Sequence, residues 1–157
     1  MQIKDILQVK GSEVVTIAIE RTIHDAIVRL NDHKIGALIV LGENEEVAGI
    51  ITERDILQQC GERCARHNQD TPPAKEIGGC PSLVREAMTT ELVIGLPDDD
   101  LNYVMGVMTK NRIRHLPIMN DGKLAGMISI GDLINAHFEE KVFENRTLRD
   151  YIHGRVR

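Results

Sequence analysis

The sequence has no tryptophan and only two tyrosines and two phenylalanines. Its core must therefore be built from Ile, Leu, Val, Met and Ala. The same shortage removes the aromatic platforms on which single-stranded nucleic acid stacks. Positive charge is not in excess either, with 19 Lys and Arg against 24 Asp and Glu and a formal net charge of −5. That balance argues against a general polyanion-binding surface and against nucleic acid as a partner, while leaving room for a local cationic pocket. No apolar run approaches the ~20 residues that span a bilayer, so no membrane partner is expected. The N-terminal "MQIKDILQVKG" is polar and broken by charge, unlike a secretory signal. Cys60, Cys64 and Cys80 are too few, and odd in number, for a disulfide framework, and fit a reducing compartment. These absences together point to a cytoplasmic protein.

What is present is the composition of an ordinary globular protein, 42% apolar and 27% charged. At 157 residues it suits one compact domain or two small ones. Two short strings then stand out: "GIITERD" at 49–55 and "GMISIGD" at 126–132. Each reads Gly, two apolar residues, a hydroxyl residue, two variable residues and Asp. The likeness extends well beyond them. With an offset of 78, "VVTIAIERTI" (14–23) falls on "LVIGLPDDDL" (92–101), and "LNDHKIGALIVLG" (30–42) on "MTKNRIRHLPIMN" (108–120). After a loop shorter by one residue, "VAGIITERDIL" (47–57) falls on "LAGMISIGDLI" (124–134), and the starts "IKDIL" (3–7) and "VREAM" (84–88) also agree. A match over about 55 residues with one gap is a duplication.

Each copy reads β-α-β-β-α. A short β segment at 14–17 or 92–95 leads into a helix. The first helix carries Ile23, Ala26, Ile27 and Leu30 at i, i+3, i+4, i+7 spacing, and its counterpart carries Leu101, Val104, Met105 and Met108. Thr22 and the run Asp98 to Asp100 supply capping signals. Two apolar strands follow in each copy, joined by "GENEE" and by "NDG", the second being the stronger hairpin signal. A last helix opens at Thr52 or Ser129. The expected organisation is a first unit at 1–62, a connection at 63–83, a second unit at 84–137 and a helical tail at 138–157. A unit this small does not readily bury its sheet alone, so the fold class expected is α+β, two units packed sheet to sheet about a pseudo-twofold axis.

The motif has two chemical readings. Ser129 and Asp132 are a helix cap and a first-turn acid. Alternatively, Ser129 and the helix N-terminus receive a phosphate while Asp132 accepts hydrogen bonds from a ribose diol, with Gly126 allowing close backbone approach. Arg114 and His115, in "NRIRHLP" beside the motif, favour the second, since Arg pairs with phosphate through two parallel bonds. The equivalent positions in the first copy are Gly36 and Ala37, so Thr52 and Asp55 have only Lys34 or Arg54 nearby, with Glu53 opposing.

Two such units, each ending in G-h-h-[ST]-x-x-D, resemble a pair of cystathionine β-synthase (CBS) domains, a Bateman module, over roughly residues 1–137. The resemblance implies an adenine-nucleotide ligand, AMP first, with ADP, ATP, NAD(H) and S-adenosylmethionine as alternatives, and no metal. It places Ser129 and Asp132, and second Thr52 and Asp55, on phosphate and ribose. It places the base against Val14, Val15 and Ile35 with Lys10 nearby, and Arg114 and His115 toward phosphate. It also implies a homodimer acting on a separate regulated protein rather than an enzyme. Ile19 stands where the first unit of such pairs commonly has proline, whereas Pro97 is kept in the second.

The connection "CGERCARHNQDTPPAKEIGGCPS" (60–82) is rich in Gly, Pro and polar residues. Cys60, Cys64, His67 and Cys80 have unconventional spacing for a zinc site, and a thiol switch is a second alternative to a helix that simply continues to about Arg66. The tail is expected to be a charged helix with a break near Asn145, its partial apolar stripe formed by Leu133, Ala136, His137, Glu140, Phe143, Leu148 and Ile152. Its basic end, "HGRVR", is a weak polyanion signal beside the simpler reading of a frayed terminus. Two further functions stand beside nucleotide binding: a ligand-free adaptor, and a small nucleotide hydrolase with His115 as its one candidate acid or base.

Overall fold

The computed structural model describes residues 1–66 and 82–152. A zinc or thiol cluster would depend on His67 and Cys80, and the polyanion signal on the basic end at 153–157. These lie outside the described residues, as does most of the connection.

The elements run α1 (Ile3–Lys10), β1 (Thr16–Ala18), α2 (Ile23–His33), β2 (Ala37–Leu41), β3 (Val47–Thr52), α3 (Glu53–Arg66), α4 (Val84–Ala87), α5 (Leu101–Asn111), β4 (His115–Asn120), β5 (Lys123–Ser129) and α6 (Ile130–Ile152). The duplication is visible in local details. The Thr22 hydroxyl accepts from the Asp25 N–H at 3.1 Å and caps α2, and the Asp100 carboxylate accepts from the Asn102 N–H at 2.9 Å and caps α5. Both helices end on a cationic residue in the left-handed region, Lys34 at φ 53° and Arg112 at φ 54°. Both hairpins carry a register irregularity at equivalent points, Val40/Leu41 and Ile118/Met119. Asp121 and Gly122 both have positive φ, as the tight turn read from "NDG" requires.

The copies differ in their first strand. β1 pairs parallel with β2 over three residues, giving the order β1-β2-β3, whereas the counterpart of β1 is reduced to one bridge between Gly95 and Ile118 beside the β4-β5 hairpin. The strand expected at 92–95 therefore shrinks to its last residue. A Cβ on Gly95 would lie 2.8 Å from Leu116 and 2.9 Å from Ile118, so the segment reaches the hairpin only without a side chain.

Compact units do not coincide with repeats. One unit comprises Met1–Glu13 and Val93–Arg157, the other Val14–Leu92. The leading helix of each repeat thus packs with the body of the other. Ile3 and Lys4 N–H groups donate to the carbonyls of Asp99 (3.0 Å) and Pro97 (2.8 Å). Val84 and Arg85 donate in the same way to Arg21 (2.7 Å) and Ile19 (3.3 Å). The donors orphaned at each helix start are satisfied by the loop before the other repeat's helix. Ile3, Ile6 and Leu7 join Leu101, Val104, Met108, Leu116, Ile118, Ile128 and Leu133 in one core. Val84 joins Ile17, Ile23, Ala26, Leu30, Leu38, Val40, Ile51 and Ile56 in the other. Burying each such Ile, Leu or Val side chain contributes about 1.5–3 kcal/mol.

The tail continues the last helix of the second repeat, and α6 runs unbroken for 23 residues. The break expected near Asn145 is absent because the polar side chains bond within the helix: Asn145 Nδ2 donates to the Lys141 carbonyl (3.0 Å) and Thr147 Oγ1 to the Phe143 carbonyl (3.0 Å). The expected stripe also divides, with Leu133 and Ala136 buried and Phe143, Leu148 and Ile152 exposed.

Candidate ligand site at the strand-to-helix junctions

Each motif sits where the second hairpin strand gives way to a helix. Register sets Ala37 opposite Thr52 and His115 opposite Ser129, so the first residue of one strand faces the last of the next. The residue before each first strand closes the junction, its carbonyl accepting from the first helical N–H: Gly36 from Glu53 (3.2 Å) and Arg114 from Ile130 (2.9 Å). At the second junction the Ser129 N–H and hydroxyl both donate to Asp132 Oδ2 at 2.7 Å, and the Asp132 N–H returns to Ser129 Oγ at 3.2 Å. The first junction repeats this with Thr52 and Asp55 at 2.8, 2.7 and 3.3 Å. The cap reading of the hydroxyl and acid is therefore correct for both motifs. It also limits what a helix end can offer a phosphate. At α6, among the described residues, the Gly131 N–H in the first turn has no acceptor, and a Cβ there would lie 3.6 Å from Ser129 Oγ.

The two junctions differ at the carboxylate. Asp132 Oδ2 also accepts from Lys10 Nζ at 2.5 Å, and the same ammonium donates to the Met127 carbonyl at 2.9 Å. Among the described residues every bond to Asp132 falls on Oδ2, so Oδ1 remains an open acceptor. Burial pushes the Asp132 carboxyl up, but hydrogen bonds from Lys10 and Ser129 outweigh it and hold the carboxyl below its ordinary value of 3.8. A depressed folded value means this group's stabilisation is present above 3.8 and is lost as pH falls through the lowered value. Among the described residues no cation bonds Asp55. Its Oδ1 is approached instead by the Thr89 hydroxyl at 3.4 Å, a long contact.

Gly126 explains how Lys10 arrives. A Cβ there would lie 2.7 Å from Leu7 Cδ2, so its absence lets α1 lie against β5. The close approach expected at this glycine is thus made by a helix of the same unit. Gly49 plays the matching part, its missing Cβ lying 2.6 Å from the Thr89 carbonyl and 3.2 Å from Met88 Sδ.

Lys10, Arg114, His115, Ser129 and Asp132 belong to one compact unit, and Lys10, Ser129 and Asp132 are bonded together. Arg114 is exposed and His115 half-buried. Val14, Val15 and Ile35 belong to the other unit, with Thr52 and Asp55. Sequence reasoning missed Thr89 and the Met127 carbonyl. Nothing in the motif pattern marks them, since Thr89 follows the short helix α4 and a carbonyl leaves no residue signature. No helix among the described residues is long and apolar enough to cross a membrane, and no group of three or more His, Cys, Asp or Glu there is placed to hold a metal ion.

Known proteins are similar to this chain in sequence and in fold. The CBS domain family profile matches residues 3–62 and 84–139. A protein from Arabidopsis thaliana named "CBS domain-containing protein CBSX3, mitochondrial" is 34% identical over 97% of this chain and 72% of its own length. The crystal structure of a CBS-domain-containing protein from Agrobacterium tumefaciens superposes with a TM-score of 0.75 at 35% identity, covering 87% of this chain and 92% of that one. A more distant CBS domain pair, solved in complex with 5′-methylthioadenosine and S-adenosyl-L-methionine, has a TM-score of 0.71 at 23% identity, covering 90% and 98%. The chain belongs to the CBS domain family, as a tandem pair.

Proposed function

We propose that this chain is a regulatory module that binds an adenine nucleotide at the Ser129–Asp132 junction and, as a homodimer in the cytoplasm, acts on a separate protein. AMP is the first candidate, followed by ADP and ATP, with NAD(H) and S-adenosylmethionine sharing the same adenosine end. The observation that supports this reading is that, among the described residues, Asp132 keeps Oδ1 open with an ammonium on its Oδ2, in a helix turn whose Gly131 N–H has no acceptor. A ribose diol needs an acceptor, and a phosphate needs a donor and a positive charge. Arg114 and His115 add donors beside the same strand end, while Val14, Val15 and Ile35, the residues expected to meet the base, belong to the other unit. A CBS pair of the same fold holds adenosine-containing ligands, which is consistent with this assignment.

The Thr52–Asp55 junction is the weaker candidate because a neighbouring hydroxyl reaches its Oδ1 and, among the described residues, no cation lies on its carboxylate. Binding rather than turnover is the reading adopted, and His115 is assigned to phosphate contact rather than proton transfer. A ligand-free adaptor is the second reading, supported by one fact: Asp132 already has a cationic partner from its own unit.

Isothermal titration calorimetry of stripped protein against AMP, ATP, NADH and S-adenosylmethionine tests the proposal. One ligand is expected to bind selectively. Asp132→Ala is expected to weaken that ligand about tenfold or more, the loss of a charge-assisted bond, and Asp55→Ala to weaken it much less. Silence for all four ligands supports the adaptor. Loss of binding in Asp55→Ala alone reverses the order of the two junctions.

A further inference from the structure

Lys10 is the last residue of α1, and its place is fixed by packing rather than by chance collision of surface side chains. Leu7, one turn earlier, is buried against the bare backbone of Gly126. Gly11 at φ 96° then turns the chain away. The ammonium is left over the end of β5 with two acceptors, the Met127 carbonyl and the Asp132 carboxylate. The Lys10 side chain is 38% exposed and that of Asp132 23%. The pair is therefore neither sealed in the core nor free in water, and a long flexible stem carries one member.

We infer that Lys10 is a latch on the ligand site: its ammonium holds the Asp132 carboxylate until a ribose diol takes that carboxylate, and then turns to the phosphate of the same ligand. This rests on the proposed assignment of Asp132 to ribose. A ribose diol has two hydroxyls and takes both carboxylate oxygens, the open Oδ1 and the Oδ2 held by Lys10, so a nucleoside must disturb the ion pair and offers the released ammonium nothing in return. A nucleotide breaks the same pair and re-forms one with its phosphate. The Met127 carbonyl keeps the ammonium at the site during the change of partner. Lys10 would thus set the preference for nucleotide over nucleoside, a role distinct from simply adding affinity. The first junction gives the contrast, since Asp55 is approached by a neutral hydroxyl with no charge to hand over.

The two ligand classes should respond to Lys10 with opposite signs. The probes are adenosine and AMP, titrated by calorimetry into the full chain and into Lys10→Met, which keeps the length of the stem. Adenosine is expected to bind Lys10→Met about two- to fivefold more tightly than wild type, the range that a half-exposed ion pair allows. AMP is expected to bind it about tenfold more weakly, for the loss of a charge-assisted contact to phosphate. Lys10→Arg should retain the preference for AMP. A parallel loss for both ligands, or no change in either, overturns the latch while leaving the ribose assignment intact if Asp132→Ala still weakens binding about tenfold or more. Wild-type protein that binds neither adenosine nor AMP, ADP, ATP, NADH or S-adenosylmethionine overturns the functional reading and the latch together. Matching thermal melts of the three chains would show that the comparison is between folded proteins.

Discussion

Gly49 and Gly126 are the same residue of the two repeats, yet substitution should separate them. A Cβ at Gly49 meets a backbone carbonyl, Thr89 O at 2.6 Å, in the segment bridged to Ile50. A Cβ at Gly126 meets the end of the Leu7 side chain at 2.7 Å. Backbone yields only by breaking the bridge, whereas a leucine can change rotamer. Gly49→Ala is expected to destabilise by about 2–3 kcal/mol and Gly126→Ala by about 1 kcal/mol, measured by denaturant unfolding. Equal losses would mean that Leu7 is held as firmly as the main chain. The glycines, hydroxyls and acids of the motif are legible in the sequence because they recur at fixed spacing. The bond between Lys10 and Asp132 is not, because it joins residues 122 apart and no periodicity links them. Thr89 escapes for the same reason, being brought to Asp55 by a bridge that only the folded backbone defines.

At the scale of elements, α2, α5 and the two hairpins are readable because their apolar spacing and turn residues agree with one another. The pattern of α6 is informative only where the helix has a core to face. Leu133 and Ala136 are buried, while beyond Glu140 the exposed residues include Phe143 at 72%, Leu148 at 59% and Ile152 at 77%. Pattern alone cannot separate an apolar stripe that is covered from one that is not. A helix segment with so little burial draws little stability from tertiary packing. Truncation after Glu140 keeps the contact of that carboxylate with the N-terminal ammonium at 3.3 Å. It is expected to cost less than about 1 kcal/mol, against about 2–5 kcal/mol for Leu133→Ala in the same helix. A larger loss on truncation, read from thermal melts, would show that the distal half is covered in solution.

At the scale of the molecule, the duplication is readable but its packing is not. Sequence similarity sets residues 3–7 at the head of the first repeat. Hydrogen bonds from Ile3 and Lys4 to Asp99 and Pro97 put them in the second unit. Both placements satisfy the same local pattern, because each leading helix finds equivalent acceptors in either repeat, and only the long-range contact decides. Fragments should follow the packing and not the repeat. Residues 14–92 alone are expected to melt cooperatively by circular dichroism. Residues 84–157 alone should not, because that piece lacks Ile3, Ile6 and Leu7 from its core. A cooperative melt of the second fragment would show that α1 is dispensable to that core.

The same displacement of α1 has a consequence for how the chain emerges from the ribosome. Residues 14–92 form a contiguous unit that can close while synthesis is still under way. Helix α1, made before that unit, has to wait much longer. Ile3, Ile6 and Leu7 share a core with Ile128 in β5 and Leu133 in α6, which are made only after that unit is complete. At eight residues α1 is too short to hold its helix alone, so until β5 and α6 emerge it waits unfolded beside a neighbour that has already closed.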